Sequence, residues 1–491
     1  MMYMRTKLVF ASVFVSAILF LAISCKKSDN NNNNNGGGGG NTTATEEQLV
    51  MDSVYLFSKE VYYWNTLIPD YNTFNPRQYK DPGGNEETSA SNVMDGVRKL
   101  QPLDRFSFVT TIAESNGIQT GQQSGDLGFF LKAGSLDKAL PYDSIYWFVT
   151  YVYDQSTAGQ AGVKRGWIIN KINGTQLGYD QPSVDILNNI FFGTPTSATF
   201  EFKKPDGTTA TATLSKTTFQ ANSVLYKNVY TNGANKVGYF VFNQFFDAPS
   251  RTELANVFSY FQTQGITDLI VDLRYNPGGA TETQDTLANL IAPLAANTQK
   301  MYTYQFNAQL QAGNFPLLKT KDGFQNVSFA QDVNTVNFQK AGSLNLSRVF
   351  FIVSGSTASA SELLMNNLRP YMTEKLIGDT TYGKPVGFFP IELASKYAIY
   401  PISFRTVNSA GTADYYTGFA PDELAPDGVN KDWGDQSEPC LAEALKYIAT
   451  GSFRLAQNEA AQKQRAIQVM LKPVQRELEK NKFSGMYKIM K

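Results

Sequence analysis

Val50, Val54, Phe57, Val61 and Trp64 recur at spacings of four, three, four and three, a single apolar stripe that predicts a helix from about Glu46 to Trp64. A second helix is predicted over Ala90 to Leu100, with Pro and Gly positions between Pro69 and Gly84 making the connection a loop. From about Ser124 to Phe219 the period shortens to strands and turns. Candidate strands at Ala198–Lys203 and Thr209–Leu214 flank an Asp206-Gly207 hairpin turn, and a helix is expected near Val184–Ile190. After Val237, strands and helices alternate. Val237–Asn243, Leu269–Leu273 and Val349–Val353 read as strands, Arg251–Gln264 as a helix, and a further helix begins near Ala360. Such alternation predicts an α/β core with much parallel pairing. Between Thr298 and Leu346 the chain is polar, aromatic and weakly periodic, which reads as an insertion or lid. Ala456–Lys491 reads as a solvated, Lys/Arg-rich helical tail.

The first residues lie outside this pattern. Arg5 and Lys7 precede an apolar run from Leu8 to Ile23, followed by Ser24 and Cys25. A basic flank, an apolar stretch and a small residue describe a secretory signal. The run is shorter than the ~20 residues a spanning helix needs. Cys25 directly after Ser24 resembles the lipobox of bacterial lipoproteins, with Ala22 where Leu is commonest and Leu21 one place early. That resemblance implies acylation of Cys25 and a lipid-anchored place in the bacterial cell envelope. Residues 30–41 are only Asn and Gly, and such a segment is a tether with no apolar surface to bury. Lys+Arg and Asp+Glu are 43 each, and nothing in that balance favours nucleic acid, which usually demands a basic face. The two cysteines, Cys25 and Cys440, leave no intramolecular disulfide if the first carries lipid.

The chain contains no histidine. A Ser-His-Asp mechanism is therefore excluded, together with imidazole-ligated metal sites. Acid–base work near neutral pH falls to a carboxylate raised in pKa or a lysine lowered in it. Two segments carry candidate chemistry. Leu269-Ile-Val-Asp-Leu-Arg-Tyr-Asn-Pro-Gly-Gly279 runs a buried strand into a tight turn whose glycine N–H groups are unobstructed, either as oxyanion donors or simply as a strand-ending turn. Val353-Ser-Gly-Ser-Thr-Ala-Ser-Ala-Ser-Glu-Leu364 passes from strand to helix, and its serines serve either at a helix N-terminus that favours an oxyanion or as caps.

Taken with Tyr382-Gly383-Lys384, these segments resemble the C-terminal processing peptidases, or tail-specific proteases, which use a Ser-Lys dyad. Asp272-Leu273-Arg274, Asn276 and Gly278-Gly279 match the family's first motif. Thr357-Ala358-Ser359-Ala360-Ser361-Glu362 matches the second with Thr for Ser. Lys384 follows Ser359 by 25 residues, the family spacing, and Gly418-Phe-Ala-Pro-Asp422 also fits. The Leu127-Gly128-Phe129-Phe130 loop and the Ala158–Gly174 stretch resemble a PDZ domain, with Trp167 where Asp is usual. The family resemblance implies an α/β multidomain chain. Its parts are a leader at 1–24, a linker at 25–45, a helical cap at 46–115, a PDZ-like β-rich domain at 116–219 and a crotonase/Clp-like peptidase core at 220–455, before the tail at 456–491.

By that resemblance Ser359 is the nucleophile and Lys384 the general base. The N–H groups of Ala360 and Gly278, or Gly279 if the turn is shifted, would bind the oxyanion. Leu127, Gly128, Phe129 and Phe130 would hold a peptide C-terminus. No cofactor or metal is implied, and the partners are protein or peptide substrates and a membrane. A free lysine titrates near 10.4, so a basic Lys384 requires a depression of roughly 2–3 units. The aromatic and apolar surroundings Tyr382, Pro385, Val386, Phe388 and Phe389 suit that. Phe388 stands where the family often has Gln, and Pro385 where it has Gly. Glu362 reads as a helix N-terminal stabiliser. The alternative reading is a non-catalytic binder on the same fold, as in the eye's retinoid-binding proteins.

Overall fold

The computed structural model describes residues 44–136, 145–453 and 485–488. The leader, Cys25 and the Asn/Gly tether lie outside the described residues, as does most of the expected helical tail.

A six-stranded sheet forms the centre. Its spatial order is Val224–Asn232, Asn235–Phe242, Asp268–Asp272, Arg348–Val353, Thr373–Gly378 and Glu423–Leu424. The first pair is antiparallel and every later pair parallel. Parallel strands are covered on both faces, so they read as continuous apolar runs rather than alternating ones. Phe240, Phe242, Leu269, Val271, Phe351 and Val353 face helices Ala248–Gln264, Thr281–Ile291 and Ala360–Leu368. Tyr239, Val241, Ile270, Phe350 and Ile352, their neighbours in the period-two pleat, face helix Pro439–Thr450. Cys440 is buried on that second face.

A second six-stranded sheet lies against the first motif. Its order is Gly278–Ala280, Gly485–Tyr487, Val386–Phe388, Ile402–Asn408, Lys300–Phe306 and Thr335–Asn337. Two sequence expectations change here. Lys300–Phe306, placed in an insertion or lid, is an interior strand whose Met301, Tyr302, Tyr304 and Phe306 join the main core. Its aromatic residues alternate with polar ones, a strand period obscured by the loops around it. Gly485–Tyr487, placed in a solvated helical tail, is a buried strand instead. Gly485 is a weak helix former, and pairing on both edges with burial of Met486 and Tyr487 overrides the helical pattern around it.

Helix Glu46–Val61 is capped by Thr45, whose Oγ1 accepts from the Gln48 N–H while the Gln48 side chain accepts from the Thr45 N–H. It ends three residues before the expected Trp64. Helix Glu86–Arg98 starts earlier than expected because Asn85 caps it, its Oδ1 accepting from the Thr88 N–H. Both helices bury their stripes in the same core as the central sheet, so the helical cap has no separate core of its own.

The β-rich segment does have one. Strands Phe129–Ser135, Ile145–Val152, Ile168–Ile172, Ser197–Lys203 and Thr209–Ser215 form an antiparallel sheet covered by helix Gln181–Phe192. The hairpin turns at Gly207 with φ +84°. A buried ionic network joins this segment to the first motif. Asp427 accepts from Lys132, Arg165 and Arg274, and Arg274 also pairs with Asp272 and Glu438. Burial alone would raise the Asp427 carboxyl, but the three cations hold it well below the usual carboxylate range.

Candidate active site

Parallel strands deliver the candidate residues to one edge of the central sheet. Asp268–Asp272 leads into the Asn-Pro-Gly-Gly turn, Arg348–Val353 into the Ser359 turn, and Thr373–Gly378 into the Lys384 loop. Residues grouped at the carboxyl ends of adjacent parallel strands are where α/β folds place ligand sites. The turns are tied to each other directly. The Ala358 N–H donates to the Asn276 carbonyl at 3.0 Å, and the Tyr382 N–H to the Thr357 carbonyl at 2.9 Å.

Ser359 stands at the N-terminus of helix Ala360–Leu368 with φ 60° and ψ −108°. A non-glycine residue there is strained by roughly 1–3 kcal/mol and is held by its surroundings. Its side-chain oxygen is buried and has no hydrogen-bond partner among the described residues. The N–H of Ala360, as the first helical residue, has no acceptor within the helix.

Glu362 holds the turn. Its Oε2 accepts from the Ser359 N–H at 2.9 Å and from the Lys384 N–H at 2.8 Å. Its Oε1 accepts from the Gly383 N–H at 2.7 Å and from Thr381 Oγ1 at 2.5 Å. One fully buried carboxylate thus fixes the Ser359 and Lys384 backbones within two hydrogen-bond lengths of each other. Burial raises its pKa, and the four donors oppose that rise. Its place as a helix N-terminal stabiliser was legible in the sequence; the reach to Gly383 and Lys384 was not. Glu362→Gln would turn an amide NH2 toward N–H groups that now meet an acceptor. It is expected to cost about 2–3 kcal/mol of stability, measurable by urea denaturation.

Lys384 is fully buried. Its ammonium nitrogen lies 4.1 Å from the ring centroid of Phe388 and 4.7 Å from that of Phe106. Phe388, at the position where glutamine was expected, therefore meets the lysine head with an aromatic face. Burial pushes the Lys384 amine well below the ordinary lysine value. The Asp104 and Glu362 carboxylates pull it back up, and the Arg105 charge lowers it further. Phe106, Asp104 and Arg105 come from the segment after helix Glu86–Arg98, and nothing in their local pattern marked them. Arg105 anchors that segment by donating to the carbonyls of Tyr382 and Gly383 at 3.0 and 3.3 Å. The Asp104 carboxylate accepts from Tyr62 and from the N–H groups of Phe106 and Ser107.

Of the two glycines, Gly278 has φ +104° and sits against the helix N-terminus: a Cβ there would stand 2.9 Å from the Ala360 nitrogen. Its N–H donates to Asn276 Oδ1 at 2.9 Å. In the loop expected to hold a peptide C-terminus, Leu127 and Phe129 are buried in the β-rich core, and Phe130 stacks on Tyr151. The Gly128 N–H donates to Asp126 Oδ1 at 2.6 Å, so in this conformation the loop holds its own carboxylate.

Residues 236–425 match the profile of peptidase family S41. That stretch spans the turn glycines, Ser359, Glu362 and Lys384. The chain is also similar to a CtpA-like serine protease of Staphylococcus saprophyticus, 23% identical over 317 residues, 64% of this chain and 56% of the relative. A carboxyl-terminal-processing protease of Picosynechococcus is 27% identical over 242 residues, 48% of this chain and 49% of the relative. The chain thus spans about half the length of the curated relatives it matches. A solved S41 protease structure from Bacteroides fragilis aligns over 82% of this chain and 97% of its own, with TM-score 0.61 and 20% identity. That likeness is one of fold, and it extends beyond the matched residues to most of the chain.

Proposed function

We propose that the chain is an exported serine endopeptidase of the C-terminal processing type, with Ser359 as nucleophile and Lys384 as general base. The observation that carries this reading is the single Glu362 carboxylate that holds the Ser359 turn beside the Lys384 loop, with the Lys384 amine desolvated between two rings. A neutral amine has a lone pair to accept the Ser359 hydroxyl proton as Oγ attacks a peptide carbonyl carbon. The carbonyl π electrons move to oxygen, where the Ala360 N–H at the helix N-terminus and the N–H of Gly279, the shifted-turn donor, oppose the developing charge. As the C–N bond breaks, the lysine ammonium returns its proton to the leaving amine. Water then adds to the acyl ester, giving a proton to Lys384; the ester C–O bond breaks, the Lys384 ammonium returns that proton to Ser359 Oγ, and the acid is released.

The alternative is a non-catalytic peptide binder on this fold. Degradation of an unfolded casein separates the two: fragments accumulating with time support the peptidase, whereas intact casein at micromolar chain over hours favours the binder. A PDZ-like role for Leu127–Phe130 is part of the proposal. If that loop opens to take a substrate carboxylate in place of Asp126, amidating a substrate's C-terminus is expected to weaken binding about tenfold, as lost charge-assisted hydrogen bonds do. Equal affinity for acid and amide, read by fluorescence anisotropy, would remove the loop from substrate capture. Lipid anchoring through Cys25 in the cell envelope completes the proposal and rests on residues outside those described.

A further inference from the structure

An endopeptidase must admit an extended chain to its nucleophile, yet Ser359, Ala360, Lys384 and both turn glycines are buried. What fills the space beside them is the strand Gly485–Tyr487. It lies parallel between Gly278–Ala280, the turn strand, and Val386–Phe388, the strand that begins two residues after Lys384. It pairs with both. The Gly485 N–H donates to the Pro277 carbonyl and the Lys488 N–H to the Phe388 carbonyl, at 3.0 and 3.1 Å. With Gly278 opposite Gly485, the next rung of the ladder sets the Gly279 N–H on the Gly485 carbonyl. That carbonyl oxygen and the Ala360 nitrogen both approach the same point beside Gly278, at 2.7 and 2.9 Å from where a Cβ would stand. A peptide carbonyl of this segment is therefore received by an amide that the sequence marked as an oxyanion donor, next to the helix N-terminus that starts after Ser359.

The side chains are seated as distinctly as the backbone. Met486 packs against Gly387 and Phe404, with its Cγ 2.7 Å from where a Cβ on Gly387 would stand. The Tyr487 hydroxyl donates to the carbonyls of Ile118 and Gln119, each at 3.3 Å. The Lys488 ammonium lies 4.5 Å from the Tyr304 ring centroid and within electrostatic reach of Glu282 and Asp285. Glycine, an apolar residue, an aromatic hydroxyl and a cation each meet a matching surface.

We propose that the slot between Gly278–Ala280 and Val386–Phe388 is the peptide-binding channel, that it takes extended segments of the small–apolar–aromatic–basic type, and that residues 485–488 occupy it in cis as a built-in competitive inhibitor. The inference rests on the peptidase reading for its biological sense but not for its test. Strand addition by main-chain pairing, with alternate side chains in pockets, is a general mode of peptide capture. An intramolecular occupant competes at an effective concentration of order millimolar, so displacing it should uncover binding that is otherwise masked.

The test uses the full-length Ser359→Ala chain, in which binding does not depend on catalysis, with and without Met486→Pro. Proline at that position removes the N–H that faces Val386–Phe388 and cannot sit within a paired interior strand. The probe is a fluorescein-labelled peptide of residues 484–488, Ser-Gly-Met-Tyr-Lys, followed by anisotropy. Met486→Pro is expected to bind it at least tenfold more tightly than its parent, and a chain lacking residues 484–491 to behave the same way. With Ser359 restored, both are expected to cleave unfolded casein at least tenfold faster than wild type, with the free peptide inhibiting competitively. Equal probe binding in parent and variants overturns the proposal. Loss of folding in both variants, read by circular dichroism and melting, also overturns it, because the segment would then be a structural strand. Tight probe binding without any cleavage keeps the channel and sinks the peptidase; cleavage unaffected by the segment does the reverse.

Discussion

Ser359→Ala is expected to lower kcat/KM for an unfolded protein substrate by at least ~10³-fold, the scale at which loss of a nucleophile leaves only binding and oxyanion effects. It is also expected to leave the fold intact. The Ser359 hydroxyl is buried without a hydrogen-bond partner among the described residues, so removing it strands no donor or acceptor. Alanine keeps the same positive-φ strain, and the Glu362 bond to the residue 359 N–H involves only backbone. Stability should stay within about 1 kcal/mol of wild type, or rise slightly as an unpaired buried hydroxyl is lost. Kinetics beside a urea melt separates the outcomes. A variant that still cuts at the wild-type rate removes Ser359 from the mechanism, whereas one that is inactive because unfolded says nothing for a nucleophile.

Lys384→Arg should be nearly as damaging, a loss of about 10²–10⁴-fold, because a guanidinium keeps its proton at any pH a protein survives. The wild-type rate should rise with pH through an apparent pKa below the ordinary lysine value of about 10.4. The sign follows from burial, which pushes the Lys384 amine well down. Stability moves with it. Below the depressed folded value both states carry the proton, and the cost of burying the charge is present in full. As pH rises from the folded value toward the unfolded one, the unfolded chain binds more protons and the native state gains stability. The gain should be absent from Lys384→Met, whose unbranched side chain occupies similar space without charge. A rate profile with no ionisation anywhere below the ordinary lysine value would contradict a lysine base.

The parts of this architecture carried by local period were legible in the sequence. The Val50–Trp64 stripe, the Asp206-Gly207 hairpin and the continuous apolar run Leu269–Leu273 each reflect a face or a turn that neighbouring residues alone define. Lys300–Phe306 and Gly485–Tyr487 were misread because their strand character comes from partners far away in the chain. Glycine and lysine beside Met486-Tyr487 say nothing of a slot between two other strands. The same limit applies at the candidate site. Ser359, Lys384 and the turn glycines are marked by spacing and residue type. Phe106 reaches Lys384 from the helical cap, and Glu362 reaches Gly383 and Lys384 across a loop, through contacts that no short-range pattern encodes. Phe388 looked like a missing glutamine in sequence; in three dimensions its ring centroid lies 4.1 Å from the Lys384 ammonium nitrogen.

The most direct measurement is to trap the acyl-enzyme. Full-length Met486→Pro would be mixed with an activated ester of a short peptide, quenched in acid within seconds, and digested for mass spectrometry. The account predicts one acyl adduct, on Ser359, absent from the Ser359→Ala chain and strongly reduced in Lys384→Arg. An adduct on another residue, or hydrolysis of the ester with Ser359 never modified, would contradict it.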